Sequence, residues 1–353
     1  MDDTKRYTAW INRVDWSASN IANAIECGLS GVDRLPAKGD VWAVKLNLTY
    51  PSYLPGVVNA PAFVEGLCQW ASDRGVRLVL VEGDGGNGSY SAQDTFDGNG
   101  VSEIAKKYKA NCVSISETPW ERRETMVAGK IIKLPYSPFF RRRDFDRFVT
   151  TPLFKNHIFT TVSLGMKNLW GCIPDAYRMY HHSQLDHGIV ALCKELQPDF
   201  SIFDGLIAMR GRGPMEGHPL AMNSLMVCSD VGAGEIAALE IMGVPIKRVR
   251  HLLIARKEGL LPADPQLTWL TDPTSFKRTD FILERTFLNH LTIQLGKIPP
   301  LQRIIYHSPL SSAIYFVVNR VRGESAQTRL LKAKWAGKYH RVERKKRKNF
   351  NCW

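Results

Sequence analysis

The sequence predicts an α/β fold: a mostly parallel, doubly wound sheet with helices on both faces, followed by a C-terminal helical appendage and a basic tail. Three observations carry that reading. Strand-length apolar runs alternate with helical periods, several of those runs end in glycine and polar residues, and the cationic charge gathers near the C-terminus.

In chain order, 41-VWAVKLNL-48 is an apolar run suited to a buried strand, 61–74 has a helical period, and 76-VRLVLVEGDGG-86 is a second strand running into glycines. Parallel strands joined in this way imply right-handed crossovers, and hence a sheet covered on both faces. A weaker unit follows, with a helix over 101–109, a short strand over 112–116 and a β-rich stretch over 125–137 that reads as a hairpin. Residues 146–152 form the next strand, leading into a polar loop, a helix over 160–169 and a second helix over 184–196. Then 199-DFSIFDG-205 reads as a strand ending in Asp-Gly, 210–219 as a glycine-rich loop, 224–229 as a strand and 232–242 as a helix. No internal repeat is visible. The organisation expected is an α/β domain over 1–260, an amphipathic helical segment over 271–325 and a basic tail over 326–353.

A chain of 353 residues with 44% apolar composition can bury a substantial core. The start lacks the apolar core of a secretory signal, and no apolar run approaches the ~20 residues that span a bilayer, so the expected location is cytoplasmic. Residues 329–348 hold ten Lys or Arg against one Glu, so nine of the 13 net positive charges lie there and the rest of the chain carries +4. The apolar segments 281–298 and 301–323 beside that tail suit peripheral binding to an anionic membrane surface. The plainer alternative is two helices docked on the domain and a solvated tail. Specific nucleic-acid binding is not expected, because the tail offers only Trp335 and Tyr339 as aromatic platforms. Seven scattered cysteines without a C-x-x-C pair make an iron–sulfur cluster or zinc knuckle an unsuitable expectation. A cluster of Cys112, Cys172 and Cys228 is a minor electron-transfer variant.

In open α/β sheets ligands bind beyond the carboxyl ends of the strands. Four strands are expected to deliver polar groups there: Lys45 and Asn47; Gly83, Asp84, Gly85 and Gly86; Lys155, Asn156 and His157; and Asp204 with Gly205. A Gly-Asp-Gly turn alone is commonly structural, so the coincidence of four carries the weight. The run 83-GDGGNG-88 matches neither standard nucleotide-binding motif. Thr160 and Thr161 are expected to cap the following helix, with Lys167 about two turns on, so that Lys155, His157 and Lys167 bracket an anionic group. His157 is then placed to move a proton near neutral pH. The loop containing Arg210, Arg212 and Gly213 offers forked contacts to carboxylate or phosphate. A divalent metal site is a further expectation, built from His157, His182 or His187 with Asp84 or Asp204.

The ordered set resembles a family known as domain of unknown function 362, over roughly residues 41–259. It comprises K-x-N, V-x-G-D-G, P-x-x-K-x-H, G-M-K-N-L-W-G-C-I-P, a downstream histidine, a strand ending in D-G, and G-x-G-P-x-x-G. The signature positions are Lys45, Asn47, Gly83, Asp84, Lys155, His157, Lys167, Asn168, Gly171, His182 or His187, Asp204, Gly205, Gly213, Pro214 and Gly217. The resemblance supplies no settled reaction. Many members carry an added ferredoxin-like module with four close cysteines, which this sequence does not show. They also commonly have Asp where this chain has Glu235, a longer carboxylate that joins the metal-ligand candidates.

The expected function is an enzyme acting on an anionic small-molecule or lipid-linked substrate. His157, Asp84, Lys155, Lys167 and Asp204 would do the chemistry, with Lys45, Asn47, Gly83, Gly85, Asn168, Arg212 and Gly213 binding substrate. The alternative is a non-catalytic binding or accessory protein at a membrane surface.

Overall fold

The structure is a computed structural model that describes residues 6–86, 90–142, 144–262, 267–285 and 298. In order the elements are β1 (Tyr7–Arg13), α1 (Ala18–Gly31), β2 (Val41–Lys45), α2 (Pro61–Arg74), β3 (Arg77–Glu82), α3 (Ala92–Gly98), α4 (Val101–Tyr108) and β4 (Asn111–Ser114). They continue with the hairpin β5 (Glu121–Val127) and β6 (Lys130–Tyr136), α5 (Phe139–Arg142), β7 (Arg147–Thr150), β8 (Leu153–His157), β9 (Thr161–Ser163) and α6 (Gly165–Asn168). After α7 (Leu185–Leu196) come β10 (Phe200–Arg210), β11 (His218–Cys228), α8 (Val231–Met242), α9 (Arg250–Lys257) and β12 (Leu267–Trp269).

Ten strands form one mixed, mostly parallel sheet in the order β12-β1-β11-β10-β7-β2-β3-β4, with β8 beside β10 and β9 beside β8. The expected α/β architecture is the one observed. Trp42, Trp70 and Phe200 lie in the apolar layer on one face, where Trp42 and Trp70 ring centroids stand 5.1 Å apart. The other layer gathers side chains of α7, α8 and α9 with the inner face of the β5–β6 hairpin.

Several boundaries differ from the sequence reading. Strand β1 and helix α1 were not anticipated; β1 pairs antiparallel with β11 and parallel with β12, so the sheet takes in a strand beyond residue 260. Strands β10 and β11 are each longer than expected, because Ile207–Arg210 keep pairing with Ala221–His218 past an irregularity after Gly205. The helix expected over 160–169 is confined to α6, Gly165–Asn168, and starts later than expected. Thr161–Ser163 instead form β9, antiparallel to β8, which makes the supposed Lys155–His157 loop a strand. The β-branched pair Thr161 and Val162 suits a strand. The threonines do not cap a helix: Thr160 Oγ1 donates to Val162 O at 2.8 Å and Thr161 Oγ1 to Arg248 O at 2.9 Å.

Residues 271–285 contain a single 3-10 turn, Thr274–Phe276, and 281–285 run without regular structure. The remainder of the two apolar segments, apart from Ile298, and the basic tail lie outside the described residues.

Candidate functional site: a buried lysine, carboxylate and imidazole cluster

The parallel strands β3, β2, β7 and β10 align their carboxyl ends, and the buried polar residues collect there. Lys45 ends β2 and is 2% exposed; its ammonium donates to Glu82 Oε1 at 2.7 Å and to Leu46 O at 2.5 Å. Glu82, at the end of β3, also accepts from Leu48 N at 2.8 Å and Gly83 N at 3.1 Å. Removing one partner of such a buried pair costs about 3–5 kcal/mol, because the other charge is stranded. Gly171 lies against this ion pair. A Cβ there would stand 2.8 Å from Lys45 Cε, so the 3-10 turn Leu169–Cys172 can approach only as glycine.

Lys155 on β8 is 1% exposed and donates to Asn47 Oδ1 at 3.0 Å and Val57 O at 2.9 Å. Burial, reinforced by the charges of Lys167 and Lys45, pushes its pKa down to about 7. Asp204 on β10 accepts from Ala60 N at 2.7 Å, Leu206 N at 3.1 Å and Asn59 Nδ2 at 3.3 Å. Burial pushes its carboxyl up to about 6 against those hydrogen bonds. Asp84 Oδ1 accepts from Ala92 N at 2.9 Å at the start of α3, and the Asp84 carbonyl accepts from Arg178. Both interactions fix the glycine-rich turn after β3.

His157 ends β8, and its Nδ1 accepts from Phe159 N at 3.1 Å, which leaves the proton of the neutral ring on Nε2. Burial, then the charge of Lys167, holds its pKa well below the usual imidazole value, so this tautomer is the resting form at neutral pH. Lys167 projects from α6 with Nζ 5.9 Å from the centroid of the Trp170 ring. Burial first, then Arg178 and Lys45, pushes its pKa down to about 7. Among the described residues it has no hydrogen-bond acceptor and no ion-pair partner. His182 lies edge-on to Trp170 and Phe159, with centroids at 5.6 and 5.4 Å, and its Nδ1 is 3.2 Å from Arg178 O.

Not every sequence candidate joins this group. Asn168 Nδ2 donates to Lys45 O and Thr150 Oγ1, a bracing role between α6 and the strand ends. Arg212 lies 3.9 Å from Glu284, and the backbone of Gly213 is in close contact with Asn156 O. The charges acting on partly exposed His187 are Lys130 and Arg250, outside the lysine cluster. Glu235 is buried in α8, where Oε1 accepts from Met166 N at 2.6 Å and Oε2 has no partner among the described residues. Gly85 packs against Tyr90 beside the turn. Among the described residues, no three His, Cys, Asp or Glu side chains are gathered as a metal-binding group.

Sequence reasoning missed Glu82, Asn59, Arg178 and His251. Glu82 had a signal, since it is an acid ending an apolar strand one residue before Gly83. Asn59 sits in a connection with no motif, yet it donates to Thr151 O and Asp204 and accepts from Asn47 N.

A parallel-sheet domain whose strand ends bury several cations beside carboxylates and a neutral histidine defines an α/β protein with a polar rim site. The chain belongs to the family described as Domain of unknown function (DUF362), whose model matches residues 43–240. It is 29% identical over 133 residues to the Thylakoid-associated protein sll1697 of Synechocystis sp. (strain ATCC 27184 / PCC 6803 / Kazusa). That alignment covers 36% of this chain and 41% of the relative, so the chain spans well under half of that protein's length. No solved structure matches the chain significantly. Among the described residues, no helix is long and apolar enough to cross a membrane.

Proposed function

We propose that the protein is an enzyme acting on an anionic small-molecule or lipid-linked substrate held at the strand rim. The carrying observation is Lys167: its neighbours Lys45, Lys155 and Arg178 have acceptors on the protein, whereas Lys167 has none among the described residues. An ammonium half-buried among other cations is stabilised by an incoming anion, which also restores its proton affinity. Lys155, with its pKa pushed to about 7, and Asp204, raised to about 6, are groups that exchange protons near neutrality. His157 presents Nε2–H as a neutral donor.

The test is calorimetric titration of the full chain with inorganic phosphate, pyrophosphate, acetate and citrate. At least one should bind, and Lys167→Met should weaken it by roughly tenfold or more, as expected for loss of a charge-assisted contact. Equal binding by wild type and variant would overturn the reading. A second reading, a non-catalytic accessory protein at a membrane surface, is favoured by the thylakoid association in the relative's name and by the basic tail.

A further inference from the structure

We propose that Arg212, in the connection from β10 to β11, and His218, which opens β11, form a second anion site, and that the carboxylate of Glu284 stands in for its ligand, a phosphate monoester group. The site is separate from the Lys167 rim and does not rest on the reading of that rim.

The connection and the segment 278–285 are both fixed in place around it. Gly211 N donates to Asn156 Oδ1 at 3.1 Å, and Ile158 N donates to Gly213 O at 3.0 Å. Alongside, Asp280 accepts from Arg210 at 2.6 Å and from Arg278 at 3.1 and 3.2 Å, Phe281 is buried, and Arg285 Nε donates to Ile158 O at 2.7 Å. Glu284 lies between these anchors and is held differently. Its Oε2 stands 3.9 Å from Arg212 Nε and its Oε1 3.9 Å from His218 Nε2, both beyond hydrogen-bonding distance. Among the described residues none of the three side chains makes a hydrogen bond, and Arg212 Nε is left shielded from solvent with no acceptor. The side chains of Arg212, His218 and Glu284 are nevertheless 40, 58 and 50% exposed, so a solute can reach them.

The carboxylate marks the point on which the two basic side chains converge. A guanidinium is shaped for forked contacts to oxyanions, and Glu284 engages none of its donors. An ion pair of this length between half-exposed groups is weak, so an anion of greater charge can displace it. A phosphate monoester dianion has twice the charge of a carboxylate, and its oxygens can face Arg212 and His218 as Oε2 and Oε1 do. Glu284 is tethered to a backbone anchored at Asp280 and Arg285. A free anion is not, and the two exposed side chains can close on it. A monocarboxylate only repeats what Glu284 supplies in cis at high effective concentration. Gly211 leaves the room: at φ +81°, a Cβ there would stand 3.1 Å from His218 Cδ2 and 3.3 Å from Glu284 Oε1. Met215 and Ile282, both exposed, belong to the same two segments, so a lipid headgroup is a source of the phosphate beside a soluble monoester.

The test uses the full chain carrying Lys167→Met at low salt, so that the rim does not contribute. Calorimetry with inorganic phosphate gives affinity, and the nitrogen-15 imidazole resonances of His218, assigned by their loss in His218→Leu, give location. Adding Glu284→Gln should tighten phosphate binding about threefold or more, because a competing carboxylate is removed. Arg212→Lys keeps the charge but not the fork and should weaken it about fivefold, and Arg212→Met about tenfold or more. Thermal midpoints should hold, since all three side chains are half-exposed. Sedimentation with phosphatidic acid vesicles, against phosphatidylserine vesicles of equal charge, separates the sources. A gain from Glu284→Gln seen with phosphatidic acid but not with inorganic phosphate would assign a lipid headgroup.

Phosphate affinity unchanged by both Glu284→Gln and Arg212→Lys, with no gain on phosphatidic acid, would overturn the proposal and place the ion on the basic tail. His218 resonances unmoved by inorganic phosphate and by phosphatidic acid alike would overturn it too, as would acetate binding as tightly as phosphate. Failure of the Lys167 reading shows instead in wild type against Lys167→Met, and leaves this comparison intact.

Discussion

Glu235 shows how much one buried side chain can impose on the pH behaviour of the whole fold. Its Oε1 accepts from Met166 N, its Oε2 has no partner among the described residues, and burial pushes its pKa from 4.5 up to about 8. The native state therefore keeps a proton that the unfolded chain releases above about pH 4.5. Stability from this group declines as pH rises from there towards 8. Glu235→Gln keeps the acceptor for Met166 and removes the titration. Between pH 6 and 8, urea midpoints should fall more steeply for wild type than for the variant, reaching a difference on the order of a few kcal/mol. Asp204 acts in the same direction but its window closes near pH 6, and Lys155 and Lys167, lowered to about 7, act in the opposite direction above that; all three are common to wild type and variant, so the difference between the two curves isolates Glu235. Parallel curves would show that the carboxyl is ionised in the native state. In the sequence Glu235 was visible only as a departure from the family's Asp. Its burial beneath α6 depends on how α8 packs, which local pattern does not encode.

At the scale of elements, the rim depends on close approach between the 3-10 turn Leu169–Cys172 and the ends of β2 and β3. Gly171 permits it, and a methyl group there would meet Lys45 Cε and Nζ at 2.8 and 2.9 Å. Gly171→Ala should displace the Lys45 ammonium from Glu82. Overpacking of this kind costs about 1–3 kcal/mol, measurable by chemical denaturation, and the displaced ammonium should also alter anion affinity. An unchanged denaturation midpoint would mean that the turn relaxes outward. The β-α-β units were legible because buried parallel strands are nearly continuous apolar runs. Helix α2 was placed at its observed bounds for a related reason: its helical period is unbroken and ends at Gly75. The β8–β9 pair was read as loop and helix, because Lys155, Asn156 and His157 look unlike a strand. Their polarity is satisfied by partners distant in sequence: Lys155 by Asn47 and Val57, and Asn156 by the backbone of Gly211. Lys45, Lys155 and Asp204 could therefore be identified as candidates, while the network that holds them could not.

At the scale of the whole molecule, the chain leaves its described part beside the site. Arg210 pairs with Asp280 at 2.6 Å, Asn156 Nδ2 donates to Phe281 O at 3.4 Å, and Arg285 Nε donates to Ile158 O at 2.7 Å. The segment that follows carries the cationic excess of the sequence, with ten Lys or Arg between residues 329 and 348. Near an anionic bilayer each such charge contributes about 1 kcal/mol, and the attraction is screened within a Debye length of about 10 Å at 0.1 M salt. The full chain should therefore sediment with phosphatidylserine-containing vesicles at about 0.1 M salt and be released near 1 M, where the screening length falls to about 3 Å. Deleting residues 329–353 should abolish sedimentation at both salt concentrations without moving the thermal midpoint. Lys167→Met should sediment as wild type does, since its charge sits in the rim and not in the tail. Retention of the truncated chain on vesicles would transfer the anchoring role to another surface. Retention at high salt by the full chain would point to apolar insertion by the segments between 281 and 323. If vesicle binding proves to depend on the tail, a lipid-linked anion becomes the first ligand class to test at Lys167, by comparing wild type with Lys167→Met for binding of that anion presented in vesicles.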